Sequence, residues 1–418
     1  MKLLIQAGYV ITGLPSQPVR RKQGILIEDG LIQAIDEWGQ FSPEDDLPVI
    51  DARELTVMPG LIDAHTHVIH SGDPHEDWRL IALSELTPTT TLKAARHARR
   101  QVERGVTTIR DVGASDWIDI ALRDEINSGR QFGPRILAAG HGITSTGGHM
   151  DARKYARPGI DNDLLNTIGA VADGPDEGRR AARMQILRGA DLIKINATLS
   201  EYVRAAGGQC APEMTYETMA AICQVAHNNG RKVAAHCHGG RGVQDAINAG
   251  VDTFEHGRFL TDELLDQLAE RGRFLIPTLS PEARRAELGD IPEEPALLRW
   301  TTMATDAMYD TVARAHARGV QIATGTDAGM PHVRHGDLAF EMIHLAEADL
   351  PHQAVIEAAT SVAATALGIE NVTGAVAAGL AADLLLVDGD PLRDIGILND
   401  PARIKAVLQG GRVTVDRR

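Results

Sequence analysis

The stretch LIDAHTHVIH (residues 61–70) follows Met58-Pro59-Gly60 and sets Asp63, His65 and His67 at alternate positions of an apolar run. Alternate side chains of a β-strand share a face, so these three point one way and Ile62, Ala64, Thr66 and Val68 the other. Two imidazoles two residues apart on one face can grip one cation. The plain alternative is a pair of hydrogen-bonded core histidines, and whether it falls away turns on further ligands. In DLIKINA (191–197) the same alternation puts Leu192, Lys194 and Asn196 on one face, and a lysine facing a core is costly unless paired or chemically changed. In KVAAHCH (232–238), His236 and His238 share a face with Ala234, and Cys237 faces away. TFEHG offers His256 just before a glycine, and ATGTDAG places Asp327 on the face of Ala323 and Gly325. Each has a plain explanation: a frayed strand end for Lys194, a core histidine for His236 or His256, a helix N-cap for Asp327. Those explanations would have to hold independently on five strands, whereas one metal centre accounts for all of them.

The elements that must carry these residues recur along the chain. Eight apolar, β-rich runs cover 61–67, 106–113, 135–140, 191–197, 232–238, 253–257, 273–280 and 320–328. Helical stretches such as TLKAARHARRQVERG and ETMAAICQVAHNNG lie between them and end in capping glycines. Eight strands alternating with helices predict an α/β fold, a (β/α)8 TIM-like barrel whose active site lies at the C-terminal strand ends. An open doubly wound sheet is the alternative, but no glycine-rich nucleotide fingerprint follows the first strand. Residues 1–57 and 374–418 carry short alternating strands (GILIEDGLIQAID, AADLLLVDGD, IKAVLQGGRVTVD). The expectation is one small β-sandwich built from both ends, with the barrel over 58–373. The Gly-, Asp- and Arg-rich stretch 140–180 is expected to be a loop over the barrel mouth.

Composition narrows the function class. Of 418 residues 43% are hydrophobic and 24% charged, ordinary for a globular protein large enough for one big core and a satellite domain. Aromatics are only 4%, so the core must be aliphatic. A formal charge of −15 argues against nucleic acid or an anionic membrane as partner. Three cysteines, Cys210, Cys223 and Cys237, show no zinc-type spacing and fit a reducing compartment. The short N-terminal apolar stretch has no cleavage-site pattern, and no run nears the roughly 18 apolar residues of a membrane span. The reading is a cytoplasmic protein.

PGLIDAHTH, the IKI lysine, the AHCH and EHG histidines and GTDAG together resemble the metal-dependent amidohydrolase superfamily. The similarity is greatest to the branch of imidazolonepropionase-like proteins and Xaa-Pro and Xaa-Arg/Lys dipeptidases, and STGGHMD (145–151) is typical of it. The resemblance implies His65, His67 and Asp327 on one metal and His236 and His256 on a second. Lys194 would bridge them as a carbamate formed with CO2. Asp63 would then sit behind the ligands and orient an imidazole. Such ligands suit one or two divalent ions per chain, zinc first among them. A hydroxide formed at the metals would attack an amide carbonyl, and Asp327 would pass its proton to the leaving nitrogen. The expected substrate is a dipeptide or N-acyl amino acid; a carbamate, phenylurea or other xenobiotic amide is the alternative, and a non-catalytic, metal-free binding or assembly protein a third reading. Dipeptidases of the branch often carry a short SGG-type loop after the lysine, but here NATLSEYVRAAGGQCAPEMTYE (196–217) stands instead, so Tyr202 and Arg204 become candidate substrate contacts. His149 and His238 are further candidates, the latter where relatives commonly have tyrosine. Relatives assemble, so a homo-oligomer is expected, with FEMIHLAEA (340–348) as a surface that could meet a partner.

Overall fold

The computed structural model describes residues 2–41, 47–76, 81, 84–155, 157, 159, 168–199, 211–289 and 295–418. Four N-terminal strands, β1 (Lys2–Val10), β2 (Arg20–Glu28), β3 (Leu31–Glu37) and β4 (Val49–Pro59), precede the segment that carries the candidate ligands. That segment holds β5 (Leu61–Thr66), β6 (Val106–Asp111), β7 (Arg135–Ala138), β8 (Gly142–Thr144), β9 (Gly169–Val171), β10 (Leu192–Asn196), β11 (Lys232–Gly239), β12 (Thr253–Phe259), β13 (Phe274–Ile276) and β14 (Gln321–Ile322). The chain ends in β15 (Leu384–Val387), β16 (Ile404–Gln409) and β17 (Arg412–Asp416).

The two ends share one seven-stranded mixed sheet of order β17-β16-β15-β4-β1-β2-β3. Its central seam is the antiparallel pairing of β4 with β15, Met58 opposite Leu385 and Val57 opposite Leu386. Alternation decides what each face meets. Leu384 and Leu386 join Ile5, Ile25, Ile27 and Val57 in the sheet's own core, whereas Leu385, Val387 and Met58 pack into the large core of the middle segment. The expected two-layer sandwich is thus met as a single sheet whose two halves share one apolar core. Gly60 links β4 to β5 where a Cβ would lie 2.2 Å from Thr107 Oγ1, so only glycine lets the chain cross here.

In the middle segment the described pairings between these strands are all parallel. β5-β6-β7 form a three-stranded sheet and β14-β13-β12-β11-β10-β8-β9 a seven-stranded one. The two sheets meet at both flanks. Ala64 N donates to Thr324 O at 2.9 Å and Asp327 N to His65 O at 2.9 Å; on the other side Asp191 N donates to Ala138 O at 2.8 Å. Inward faces carry the ionisable groups, while Ile193, Ile195 and Cys237 face outward into the helix-packed core. The helix Tyr216–Asn228 shows how the outer layer forms: Thr215 Oγ1 accepts the Thr218 N–H as an N-cap, and Met219, Ile222, Cys223 and Val225 turn inward.

Two expectations change. The stretch 140–180 is not one loop: Gly142–Thr144 and Gly169–Val171 pair in parallel as β8 and β9, and the helix Pro175–Arg188 begins inside it. Short glycine-bounded strands of three residues leave too little periodicity to read. FEMIHLAEA lies largely on the helix Leu338–Glu347, where Phe340, Met342 and Leu345 are buried within this chain, so the stretch packs inward and is not an exposed face.

Candidate metal centre

A cavity of about 460 Å³ opens at the C-terminal ends of the parallel strands. His65, His67, Lys194, His236, His256 and Asp327 all line it, as do His149 and His238. Each arrives as strand geometry dictates. β5 delivers His65 with His67 just beyond it, β10 delivers Lys194 at 1% exposure, β11 delivers His236 and His238, and β12 delivers His256. Asp327 follows β14 on a segment hydrogen-bonded to β5, and Gly325 permits that approach because a Cβ there would lie 2.8 Å from His65 Cβ. His256 and Asp327 both have left-handed backbones, φ 71° and 58°, a conformation uncommon among non-glycine residues.

The protonation of the histidines follows from their partners. His67 Nδ1 donates to Gly113 O at 3.0 Å and His65 Nδ1 to a Glu255 carboxylate oxygen at 2.7 Å. A carbonyl and a carboxylate only accept, so both Nδ1 atoms carry the proton and both Nε2 atoms keep a lone pair. Those lone pairs point at one oxygen: Asp327 Oδ1 lies 3.5 Å from His65 Nε2 and 3.6 Å from His67 Nε2. Burial keeps the rings neutral. It pushes His65 down to about 4, with the Lys194 charge adding, and holds His67, His236, His238 and His256 well below the usual imidazole range. It also lowers Lys194 to about 8, against the attraction of Glu255.

A divalent cation fits this donor set. His65 Nε2, His67 Nε2 and Asp327 Oδ1 converge, two imidazole nitrogens and a carboxylate oxygen offered to one point. His65, His256 and Asp327 each present a ligand atom within 4.8 Å of the other two. His236 Nε2 is buried without a hydrogen-bond partner among the described residues, and its ring centroid lies 4.6 Å from that of His256. His256 Nδ1 is held by Thr278 Oγ1 at 2.6 Å. Imidazole and carboxylate donors suit zinc and its first-row neighbours.

The substrate candidates divide. His149 stacks on His236 at 4.0 Å between centroids, and His238 sets its ring edgewise to His236 at 4.7 Å. Tyr202 and Arg204 lie outside the described residues. Asp63 plays a different part from the expected one. Its carboxylate accepts Thr326 N and Oγ1 at 3.0 and 2.6 Å and the His65 backbone N–H at 3.3 Å, which ties β5 to the Asp327 segment, while the His65 ring is held by Glu255. Glu255 escaped the sequence reading because alternation sends it and His256 to opposite faces. The left-handed turn at His256 brings both inward. The cavity wall formed by Arg258, Glu282 and Arg285, with a buried Arg258–Glu282 ion pair, also went unread. Glu282 and Arg285 sit on the helix Ser280–Leu288, part of which had been assigned to a strand.

Comparison with known proteins agrees with this geometry. A solved Xaa-Pro dipeptidase with methionine bound in its active site is 34% identical, with a TM-score of 0.86 over 99% of each chain. A prolidase complexed with N-methylphosphonate-L-proline is 27% identical, with a TM-score of 0.88 over 100% of each chain. Ochratoxinase of Aspergillus niger is 28% identical over 98% of this chain and 86% of its own length. The amidohydrolase family model matches residues 56–414. A parallel α/β frame, histidines and an aspartate gathered at its strand ends, and that match lead to one assignment: the chain belongs to the amidohydrolase family and is an amide-hydrolysing enzyme.

Proposed function

We propose that the enzyme cleaves the amide C–N bond of a small dipeptide or N-acyl amino acid. The observation that carries this reading is the convergence of His65 Nε2 and His67 Nε2 on Asp327 Oδ1 in a cavity of dipeptide size. His65, His67 and Asp327 would hold one divalent ion, zinc by preference, and His236 and His256 a second. Lys194 would join the two once its neutral amine has added CO2 and released a proton, becoming an anionic carbamate. A metal bound there supplies Lewis acidity, which lowers the pKa of water and polarises a carbonyl. Asp327 takes the proton of the attacking water and delivers it to the leaving nitrogen, since an amine departs poorly unless protonated. His149 and neutral His238 on the wall orient the substrate by hydrogen bonds.

The rest of the wall supports a substrate with one charged and one apolar part. Arg258, Glu282 and Arg285 lie on it together with Met150, Ile168, Met330 and Pro331. The likeness to proteins described as a dipeptidase and a prolidase points the same way. The apolar part suits an aryl group too, so a phenylurea, carbamate or other xenobiotic amide is the second reading. The reading also takes the parallel strands as one (β/α)8 barrel over 58–373, closed through the Ala64–Thr324 and Asp191–Ala138 bonds, with the sheet of 1–57 and 374–418 folded over its core as a sandwich. It takes the protein as a cytoplasmic homo-oligomer with no nucleic-acid or membrane partner. Exposed Leu86, Leu92 and Leu187 support association, and among the described residues no helix is long and apolar enough to cross a membrane.

The test is elemental analysis of the purified enzyme, chelation and metal add-back, and a screen of dipeptides, N-acyl amino acids, carbamates and phenylureas. Activity on the first two classes that vanishes with the metal is expected. Full activity without metal would overturn the reading, and turnover of only the last two classes would replace its substrate.

A further inference from the structure

Behind His65 lies a closed, buried set of polar bonds that joins the neighbouring strands β5 and β6 to β12 of the other sheet. Glu255 on β12 is 0% exposed and accepts the His65 Nδ1–H at 2.7 Å. Arg110 on β6 meets both of its oxygens through Nη2, at 2.7 and 2.8 Å, and Thr253 Oγ1 donates to it at 2.6 Å. Arg110 also donates from Nε to Ala64 O, one residue before His65, and from Nη1 to Thr253 Oγ1 at 2.8 Å. The other histidines are held by neutral groups, Gly113 O for His67 and Thr278 Oγ1 for His256. Only His65 has a full negative charge behind it among these three.

Stability is a poor reason for such a cluster. A buried ion pair seldom outperforms apolar residues of the same volume, because desolvating both charges offsets their attraction. A carboxylate behind an imidazole does something apolar packing does not: it fixes the tautomer and makes the far nitrogen a stronger donor. We infer that Glu255, held in place by Arg110 and Thr253, is a positioning residue that holds His65 with its proton on Nδ1 and its Nε2 lone pair aimed at Asp327. The inference rests on the reading of His65 as a metal ligand.

The test compares two variants in apparent metal Kd, measured with Zn²⁺ and Co²⁺ by chelator competition, in the Co²⁺ absorption spectrum and in metal-free thermal unfolding. In Glu255→Gln the side-chain amide can turn its NH2 toward Nδ1 and admit the wrong tautomer, while Arg110 loses its counter-charge. Metal affinity should fall about 10- to 100-fold and the metal-free protein should melt earlier. The double variant Glu255→Gln/Arg110→Met removes both charges, so its metal-free stability should recover toward wild type while its metal affinity stays low and the Co²⁺ spectrum stays altered. Recovery of both affinity and spectrum would reduce Glu255 to a partner for Arg110 and overturn the inference. Should neither variant fold, ¹⁵N-histidine NMR of the metal-free wild type reads the tautomer directly: a protonated Nδ1 on His65 supports the inference and a protonated Nε2 overturns it. A wild type that binds no metal at all would instead remove the functional reading beneath it.

Discussion

Asp327 combines two tasks that a substitution can separate. As a ligand it needs only an oxygen, and as a proton carrier it needs a carboxylate. Asp327→Asn should therefore retain the fold and much of the metal but lose about 10²–10⁴-fold in turnover of an amide. The loss should be smaller for an activated ester, whose leaving group needs no proton; equal losses measured on the two substrates would make Asp327 a ligand alone. Lys194 allows a second measurement. Carboxylation should appear as extra density beyond Nζ in a metal-loaded crystal, and a bare amine in a fully active dinuclear crystal would discard the bridging role. Alternation along strands was enough to find His65, His67, Lys194 and His236, because each lies on or just past the inward face of a regular strand. It failed where regularity fails. Glu255 turns inward with its neighbour only because His256 adopts φ 71°, and Arg110 was hidden in an apolar run whose inward face gave no sign of a partner on β12. Long-range pairing of this kind has no local signature.

At the level of elements, the helix Ser280–Leu288 brings Glu282 and Arg285 to the cavity, and its position depends on a residue from another helix. Buried Glu341, on Leu338–Glu347, accepts the Leu279 and Ser280 N–H groups at 2.8 and 2.7 Å and the Ser280 hydroxyl at 2.6 Å. Glu341→Ala would leave buried donors unsatisfied, at about 1–3 kcal/mol each. Equilibrium denaturation should record that loss, and KM should rise more than kcat falls because the displaced wall touches substrate; unchanged KM in a destabilised variant would confine Glu341 to stability. Eight of the ten parallel strands were legible from apolar runs bounded by polar residues and glycine; β8 and β9 were not. Nor were the lengths of the eight: β13 and β14 stop at Ile276 and Ile322, and the rest of those runs becomes a helix start and the Asp327 segment. Thr278 at φ 51° and Asp327 at φ 58° mark where the backbone leaves the strand, a choice made by the site around them and not by propensity.

Across the whole molecule, stability should depend on pH through histidines outside the candidate ligand set. His97 and His335 stack at 4.7 Å, with His97 Nδ1 bonded to Val68 O and His335 Nε2 to His70 O. Burial pushes His335 down to about 3 and His70 to about 4, and lowers His97. An exposed imidazole titrates near about 6.5, so between the two values the unfolded chain binds more protons than the folded one. Their contribution is therefore whole above about pH 6.5 and is lost as pH falls toward the folded values. Denaturant titrations at pH 7.5 and 5 should show the decline, and His335→Gln should flatten it; an unchanged slope would assign the acid sensitivity elsewhere. The pairing of β4 with β15 has a further consequence, in time. On a ribosome β4 emerges long before β15, and at about 5–20 residues per second roughly a quarter of a minute to a minute separates them. Throughout that interval Val57 and Met58 belong to an unfinished strand edge whose partner has not been made. The nascent chain must keep that edge from pairing with another copy while the middle segment forms, and only β15, translated after it, closes it.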